Sequence, residues 1–316
     1  TEMEPTDENL LLPAFRYGTS EFLKAIGASK VVIGVSGGID SAVNAALYRS
    51  ILPAENILLV NTPTRYNSEL TKGLAAELAK NLGCQLLTVP IGDFIDETAD
   101  ALEGLPLPDD TVHLTGFMKE NMQARDRSSR ILAALSAAFG GIFTCNANKT
   151  ETTVGYGTLY GDLAGAFAAT ADLWKYQIYD LGRKLNAWYG RAVIPEGIFT
   201  VMPSAELSEN QDVTQGKGDP LIYEYHDYLF RSFIEPWQRQ TPEDILKAYA
   251  KGNLEDLIGC SIIVSNIFPT AKDFIEDLEK WWNLFSGFAV AKRIQTPPLL
   301  AVSRRPYGYD LSLIHI

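Results

Sequence analysis

Apolar residues in this chain fall into short β-branched runs that alternate with stretches of helical period. Val31-Val32-Ile33-Gly34-Val35 is an unbroken apolar run followed by a glycine-rich turn, the pattern of a parallel strand covered on both faces. The segment after that turn sets Ala42, Val43, Ala46 and Leu47 on one face of a helix. The alternation repeats, with a strand over residues 57–60, a helix over 69–82 stopped by Gly83, and a strand over 85–89. A long helix over 121–139 carries Ile131, Leu132, Leu135 and Phe139, stops at Gly140-Gly141 and leads into a strand over 142–145. Strands alternating with helices imply right-handed crossovers, so the expected fold class is α/β, a doubly wound parallel sheet. Beyond this the chain reads as mainly helical. A polar, glycine-containing stretch over 208–218 is expected to be a mobile loop. The helical C-terminal part is expected from about residue 220, with an appendage from Trp237 onward and Trp281-Trp282 in its last helix.

Composition narrows the class. The 316 residues are 46% hydrophobic and 21% charged, which suits one large globular α/β domain. Lys and Arg total 27 against 39 Asp and Glu, a net charge of −12 that opposes a general nucleic-acid or membrane surface. Anionic ligands would need local cations. No apolar run reaches the roughly 18–20 residues of a membrane span, and the start has no signal-peptide pattern, so the cytosol is the expected compartment. Cys84, Cys145 and Cys260 form no CxxC, and His113, His226 and His315 form no HxxxH, which argues against structural zinc and a disulfide framework. The acidic residues 1–13, with Glu2, Glu4, Pro5, Asp7 and Glu8, read as a linker. The terminal LSLIHI lacks helix-stop or turn chemistry and is set aside as a truncation or assembly scar.

The strongest chemical signal is Gly34-Val35-Ser36-Gly37-Gly38-Ile39-Asp40-Ser41, placed between a strand and a helix. Glycines allow backbone N–H groups to turn inward around an anion, and the following helix adds its positive N-terminus. The segment lacks the lysine of a Walker A loop and the glycine spacing of GxGxxG. A tight turn with Asp40 or Ser41 as helix cap is the plainer alternative. Paired glycines flanked by hydroxyls, with a carboxylate able to hold Mg²⁺, exceed what a cap requires, and a phosphate site is the favoured reading.

Ser36-Gly37-Gly38-Ile39-Asp40-Ser41 resembles the signature of the N-type ATP pyrophosphatases, or PP-loop enzymes, which split ATP between its α and β phosphates and adenylate a substrate. Within that group the longer likeness is to the NAD⁺ synthetase family. It is carried, in order, by Glu120-Asn121-Met122-Gln123-Ala124-Arg125, Asn148-Lys149-Thr150-Glu151, Val154-Gly155-Tyr156, Thr158-Leu159-Tyr160-Gly161-Asp162 and Pro203-Ser204-Ala205-Glu206-Leu207. The resemblance runs from about residue 14 to residue 307 and favours the synthetase half of the glutamine-dependent type. It implies an adenine-nucleotide α-hydrolase-like fold and a two-step amidation. The carboxylate of deamido-NAD⁺ attacks the α-phosphate of ATP and expels pyrophosphate, and ammonia then displaces AMP.

By the same resemblance, Gly34 and Val35 with Ser36 to Ser41 form the ATP loop, and Arg65, Asn146 and Lys175 join it. Asp40 and Glu151 share Mg²⁺, while Asn121, Glu151, Asp162 and Lys292 meet deamido-NAD⁺. Asp40, Asp162 and Lys175 are the implied catalytic residues. The family associates as homo-oligomers, and the glutamine-dependent relatives carry an amidohydrolase domain ahead of the synthetase. This chain is therefore expected to use ammonia, with the acidic start as linker to that domain.

Plainer readings stand beside these. Asn121 could cap the long helix, Lys292 could be a solvated helix end, Arg125, Arg127 and Arg130 could be surface ion pairs, and Cys145 an inert strand residue. The chain also departs from the family at Asn146, where a hydroxyl is common, at Ala147, where glycine is common, and in Ala169-Thr170-Ala171-Asp172, which lacks a proline. Two alternatives remain at this stage: another PP-loop enzyme such as a GMP synthetase, and a nucleotide-binding subunit that has lost catalysis.

Overall fold

The computed structural model describes residues 10–204 and 218–306. Most of the acidic start, nearly all of the 208–218 stretch and the LSLIHI tail lie outside the described residues. Four parallel strands, β1 (Val31–Gly34), β2 (Ile57–Asn61), β3 (Gln85–Thr88) and β4 (Ile142–Phe143), form one sheet in the order β3-β2-β1-β4. Val31 is in register with Ile57 on one side and Ile142 on the other. Successive side chains of a strand point to opposite faces, and here both faces are packed. Val31, Ile33, Ile57 and Leu59 join one core cluster. Val32, Leu58 and Val60 join another with Ile91, Ile131 and Leu132. This two-sided burial is why the strands read as unbroken apolar runs rather than alternating ones.

Helices α1 (Leu11–Ala25), α2 (Ile39–Arg49) and α3 (Glu69–Leu82) supply side chains to the first cluster, and α4 (Gly92–Leu102) follows β3. Residues 11–13, read above as the end of a linker, thus open a helix whose Leu12, Phe15, Thr19 and Leu23 are buried. Helix α3 has the bounds its sequence predicts: the Ser68 hydroxyl accepts the Thr71 N–H at its start, and Gly83 ends it with φ 69°. The long helix differs. It begins at Gly116, capped by Thr115, and comprises α5 (Gly116–Arg125), a π-helical stretch over Asp126–Leu132 and α6 (Ala133–Phe139). Asn121 is therefore interior and not a cap. Strand β4 is two residues shorter than expected, because the Cys145 N–H turns away to the Phe167 carbonyl (3.0 Å).

After β4 come α7 (Lys149–Val154), α8 (Lys175–Tyr189) and α9 (Glu196–Thr200). The C-terminal part holds α10 (Tyr223–Ile234), α11 (Pro242–Lys251), α12 (Leu254–Ile258), α13 (Val264–Ile267), α14 (Ala271–Ser286) and α15 (Ala289–Gln295). Trp281 and Trp282 lie in α14, the penultimate helix. A second core of Leu229, Phe230, Phe233 and Trp281 includes Val154 and Trp174, so the C-terminal helices pack directly on α7 and the start of α8. Lys149 pins the same junction. It is 1% exposed, with Nζ 2.9 Å from Asp172 and 2.8 Å from Glu235, a buried charge satisfied from both parts of the chain. No helix among the described residues is long and apolar enough to cross a membrane.

Candidate active site at the carboxyl ends of β1 and β4

Strand order reverses at β1, which lies between β2 and β4, and ligands of open α/β sheets gather outside the carboxyl ends of strands at such a point. The glycine-rich loop leaves β1 there. Gly37 has φ 90°, and a Cβ on it would stand 2.2 Å from the Thr71 carbonyl oxygen, so only glycine lets the loop pass α3. Ser41 holds the turn shut: its hydroxyl donates to the Gly38 carbonyl (3.1 Å) and accepts the Ser36 N–H (3.3 Å). The residue at the cap of α2 is Gly38, neither Asp40 nor Ser41, and it offers no side chain to the first N–H groups of that helix. Those groups are left for an anion from outside.

Beside the loop stands a charged cluster. Lys175 is 3% exposed at the start of α8, with Nζ 2.5 Å from Asp40 Oδ2 and 3.7 Å from Glu151 Oε1. The Asn148 side chain donates to Asp40 Oδ1 (2.9 Å) and also caps α7, in a capping box with Glu151. Burial and the neighbouring Asp40 carboxylate push the Glu151 carboxyl up to about 8, against the pull of Lys175. The Lys175 ammonium is held well above its ordinary range by Asp40 and Glu151, which outweigh its burial.

Three cavities meet here, and Asp162 lines all three. The first, about 200 Å³, runs from Gly34, Val35, Ser36 and Ser41 past Asn146 and Ala147 to Arg127. The second, about 160 Å³, lies over Gly38, Ile39, Asp40, Lys175 and Asp219. The third, about 270 Å³, is lined by Asn121, Tyr156, Lys292 and Trp281. Asp162 is exposed at the junction but flanked by these walls, which thin the water around it. That desolvation raises its carboxyl, while the Thr158 N–H (2.6 Å to Oδ1) draws it back down.

The structure thus brings together most of the residues singled out from the sequence. Lys292 is half-buried and donates to the Gly155 carbonyl (2.7 Å), so it is no solvated helix end. Asn121 accepts the Thr158 hydroxyl (2.8 Å). Asn146 donates to the Gly34 carbonyl (2.9 Å), tying the end of β1 to the chain after β4, and with Ala147 it stays on the wall of the first cavity. Gly37 shapes the loop from behind and lines none of these three cavities. Glu151 lines the first two cavities and not the third. Arg65 stands apart. Its side chain is 66% exposed, pairs with Asp96 (3.2 Å) and stacks over Tyr66, and it lines none of the three cavities.

Arg127, Ser128 and Leu132, all in the π-helical stretch, line the first cavity. Arg130 pairs with Asp126, as a surface reading expects. Arg127, weighed from the sequence as a surface ion pair, lines the first cavity instead, and Asn148 and Asp219 are contributors to which sequence reasoning gave no role. Only the capping pattern of Asn148 three residues before Glu151 was visible beforehand.

All three cysteines are buried and far from activation. Burial pushes the Cys84 thiol up to about 11 and the Cys145 thiol to about 12, and raises Cys260.

A parallel sheet, an anion-ready loop at its switch point and a lysine-bridged carboxylate pair define a nucleotide-handling α/β domain. The chain belongs to the NAD synthase family, whose model matches residues 16–258. It is 38% identical over 244 residues to the glutamine-dependent NAD⁺ synthetase of Thermotoga maritima, a likeness covering 76% of this chain and 40% of that protein. The glutamine-dependent NAD⁺ synthetase of Cytophaga hutchinsonii shares the fold with a TM-score of 0.71 at 18% identity, over 92% of this chain and 50% of that one. The enzyme of the same name from Acinetobacter baumannii, solved with adenosine diphosphate, aligns at 26% identity with a TM-score of 0.54, over 92% of this chain and 47% of that one. The chain spans about half the length of these relatives, or somewhat less.

Proposed function

We propose that this chain amidates deamido-NAD⁺ to NAD⁺ with ATP and ammonia, through an adenylated carboxylate, releasing pyrophosphate and AMP. The observation that carries this reading is the meeting of three cavities at Asp162, with the glycine-rich loop and Lys175 on one side and Asn121 and Lys292 on the other. Such a junction suits two large anionic substrates that must touch end to end. In this scheme the adenosine and α-phosphate of ATP occupy the first cavity, and the leaving pyrophosphate lies over Gly38, Ile39 and Lys175. The start of α2 and the Lys175 ammonium stabilise the charge that builds on it. Deamido-NAD⁺ enters by the third cavity, where Lys292 meets its negative charge and Tyr156 offers ring surface. Its carboxylate attacks the α-phosphorus, the bond to pyrophosphate breaks, and ammonia then attacks the mixed anhydride and expels AMP. Asp162, beside the reacting carboxyl, is suited to hold the incoming ammonium and take its proton.

Mg²⁺ fits the donor set. Asp40 and Glu151 face the same space with Lys175 between them, and no group of three or more ligating side chains stands there among the described residues. Two carboxylates completed by phosphate oxygens and water is a normal magnesium arrangement, and the ion would neutralise phosphate charge there. The resemblance to the family further supports a homo-oligomer acting in the cytosol. Nitrogen from ammonia accords with the three unactivated thiols. Incubating the protein with Mg-ATP, deamido-NAD⁺ and ammonium tests the proposal: NAD⁺ and AMP should appear together. Pyrophosphate release stimulated by XMP and not by deamido-NAD⁺ would contradict it.

A further inference from the structure

We propose that Asp227, on α10, is a positioning residue that sets Lys175 against the phosphate loop through the first turn of α8. The inference rests on the reading of Lys175 as the lysine that meets ATP phosphates. Asp227 is 1% exposed and lines none of the three cavities that meet at Asp162, bordering instead the neighbouring cavity of about 750 Å³ that Lys175 also lines. Its Oδ2 accepts the backbone N–H of Tyr176 (2.9 Å), and its Oδ1 accepts the Thr150 hydroxyl. The Thr150 Oγ1 in turn accepts the backbone N–H of Lys175 (3.1 Å). One carboxylate therefore fixes the first two N–H groups of α8, directly and through a single hydroxyl. Because Thr150 precedes Glu151 on α7, the same carboxylate also locks the helix that carries Glu151.

An ordinary helix cap would not supply this arrangement. A Ser, Thr or Asp at position 174 would accept locally from the N–H of residue 176 or 177 and leave that of Lys175 unserved. That position instead holds Trp174, whose indole donates to Glu235 (2.8 Å). A buried carboxylate is costly unless opposing charge compensates it, and burial pushes the Asp227 carboxyl up to about 6 despite its hydrogen bonds. Helix α8 is already anchored downstream by Ile178, Leu181 and Leu185 in the main core. What Asp227 adds is the placement of the first residue of α8, whose ammonium must sit between Asp40 and Glu151 and still reach a phosphate.

The test is a set of binding isotherms with pyrophosphate, ATP and adenosine, on the wild-type chain and on Asp227→Asn, Thr150→Val and Thr150→Ser. Asp227→Asn and Thr150→Val should each weaken pyrophosphate and ATP by about tenfold or more, since a displacement near 1 Å already matters at such a site. Adenosine, which does not meet Lys175, should stay within about twofold, and Thr150→Ser should restore wild-type affinities. In a Lys175→Met background, Asp227→Asn should add no more than about twofold. If Asp227→Asn does not fold, the contrast between Thr150→Val and Thr150→Ser decides alone. Unchanged pyrophosphate affinity, an equal loss for adenosine, or a full Asp227→Asn effect without Lys175 overturns the proposal. Wild-type protein that binds no pyrophosphate overturns it together with the role of Lys175. Wild-type protein that binds ATP but makes no NAD⁺ refutes the proposed reaction and leaves the positioning role of Asp227 standing.

Discussion

Replacing Gly37 by alanine separates the geometric demand on the glycine-rich loop from ordinary backbone strain, because Gly83 supplies a matched control. Both glycines have left-handed φ, 90° at Gly37 and 69° at Gly83. An added Cβ at Gly83 meets nothing within 4 Å, so Gly83→Ala costs only the left-handed conformation, about 1–2 kcal/mol. At Gly37 the Cβ would lie 2.8 Å from the Thr71 carbonyl carbon and 2.2 Å from its oxygen, the latter more than an ångström inside ordinary contact. Thr71 cannot yield easily, since its N–H is held by the Ser68 hydroxyl that caps α3 (3.2 Å). The loop must move instead. Gly37→Ala should therefore lose about 3–4 kcal/mol, the left-handed cost plus the strain of overpacking against fixed backbone. It should also lose pyrophosphate affinity by at least about tenfold, as the amides around Gly38 and Ile39 leave their places. Urea unfolding gives the first quantity and calorimetric titration with pyrophosphate the second. If the two alanine variants prove equally stable and equally able to bind pyrophosphate, the close approach to Thr71 is not what shapes the site.

The raised carboxyl of Glu151 gives a pH prediction. The unfolded group ionises near 4.5 and the folded one near 8, so the folded state holds an extra proton in that window. Stability of the ligand-free protein therefore falls as pH rises from about 4.5 to 8. Glu151→Gln should remove that slope, melting with the wild type near pH 4.5 and above it at pH 8 by about 1–3 kcal/mol in metal-free buffer; parallel curves would contradict this. Lys292→Met should raise the KM for deamido-NAD⁺ by about tenfold and leave that for ATP nearly unchanged, since Lys292 lines only the third of the three cavities. Equal effects on both substrates would show that it does not separate them. Glutamine as sole nitrogen source, freed of ammonia, should give essentially no NAD⁺ from this chain, whose three thiols are all buried and raised. A rate near that with ammonium would reveal a glutaminase site.

Local pattern carried the sheet well. Val31–Gly34, Ile57–Asn61 and Glu69–Leu82 were legible because two-sided burial leaves unbroken apolar runs and because Ser68 and Gly83 mark helix ends by their own chemistry. The loop at Ser36–Ser41 was legible for a similar reason, as only glycine serves at Gly37. What could not be read depends on contacts across the chain. The early end of β4 follows from the Cys145 N–H bonding Phe167. Arg127 lines the cavity from a π-helical stretch that has no sequence period to announce it. Arg65 and Arg127 look alike in sequence, and only tertiary placement sends one to Asp96 at the surface and the other to the cavity. Asp227 reaches Thr150 across 77 residues, a pairing invisible to any local rule.

The central claim is that the substrate carboxylate itself attacks ATP. It is tested most directly by supplying deamido-NAD⁺ labelled with heavy oxygen in its carboxyl group, together with Mg-ATP and ammonium, and analysing the AMP by mass spectrometry. Adenylation passes one carboxyl oxygen to the α-phosphorus, so each AMP formed should carry one labelled oxygen and each NAD⁺ should retain the other. AMP without label, in a reaction that still makes NAD⁺, would contradict the adenylated intermediate.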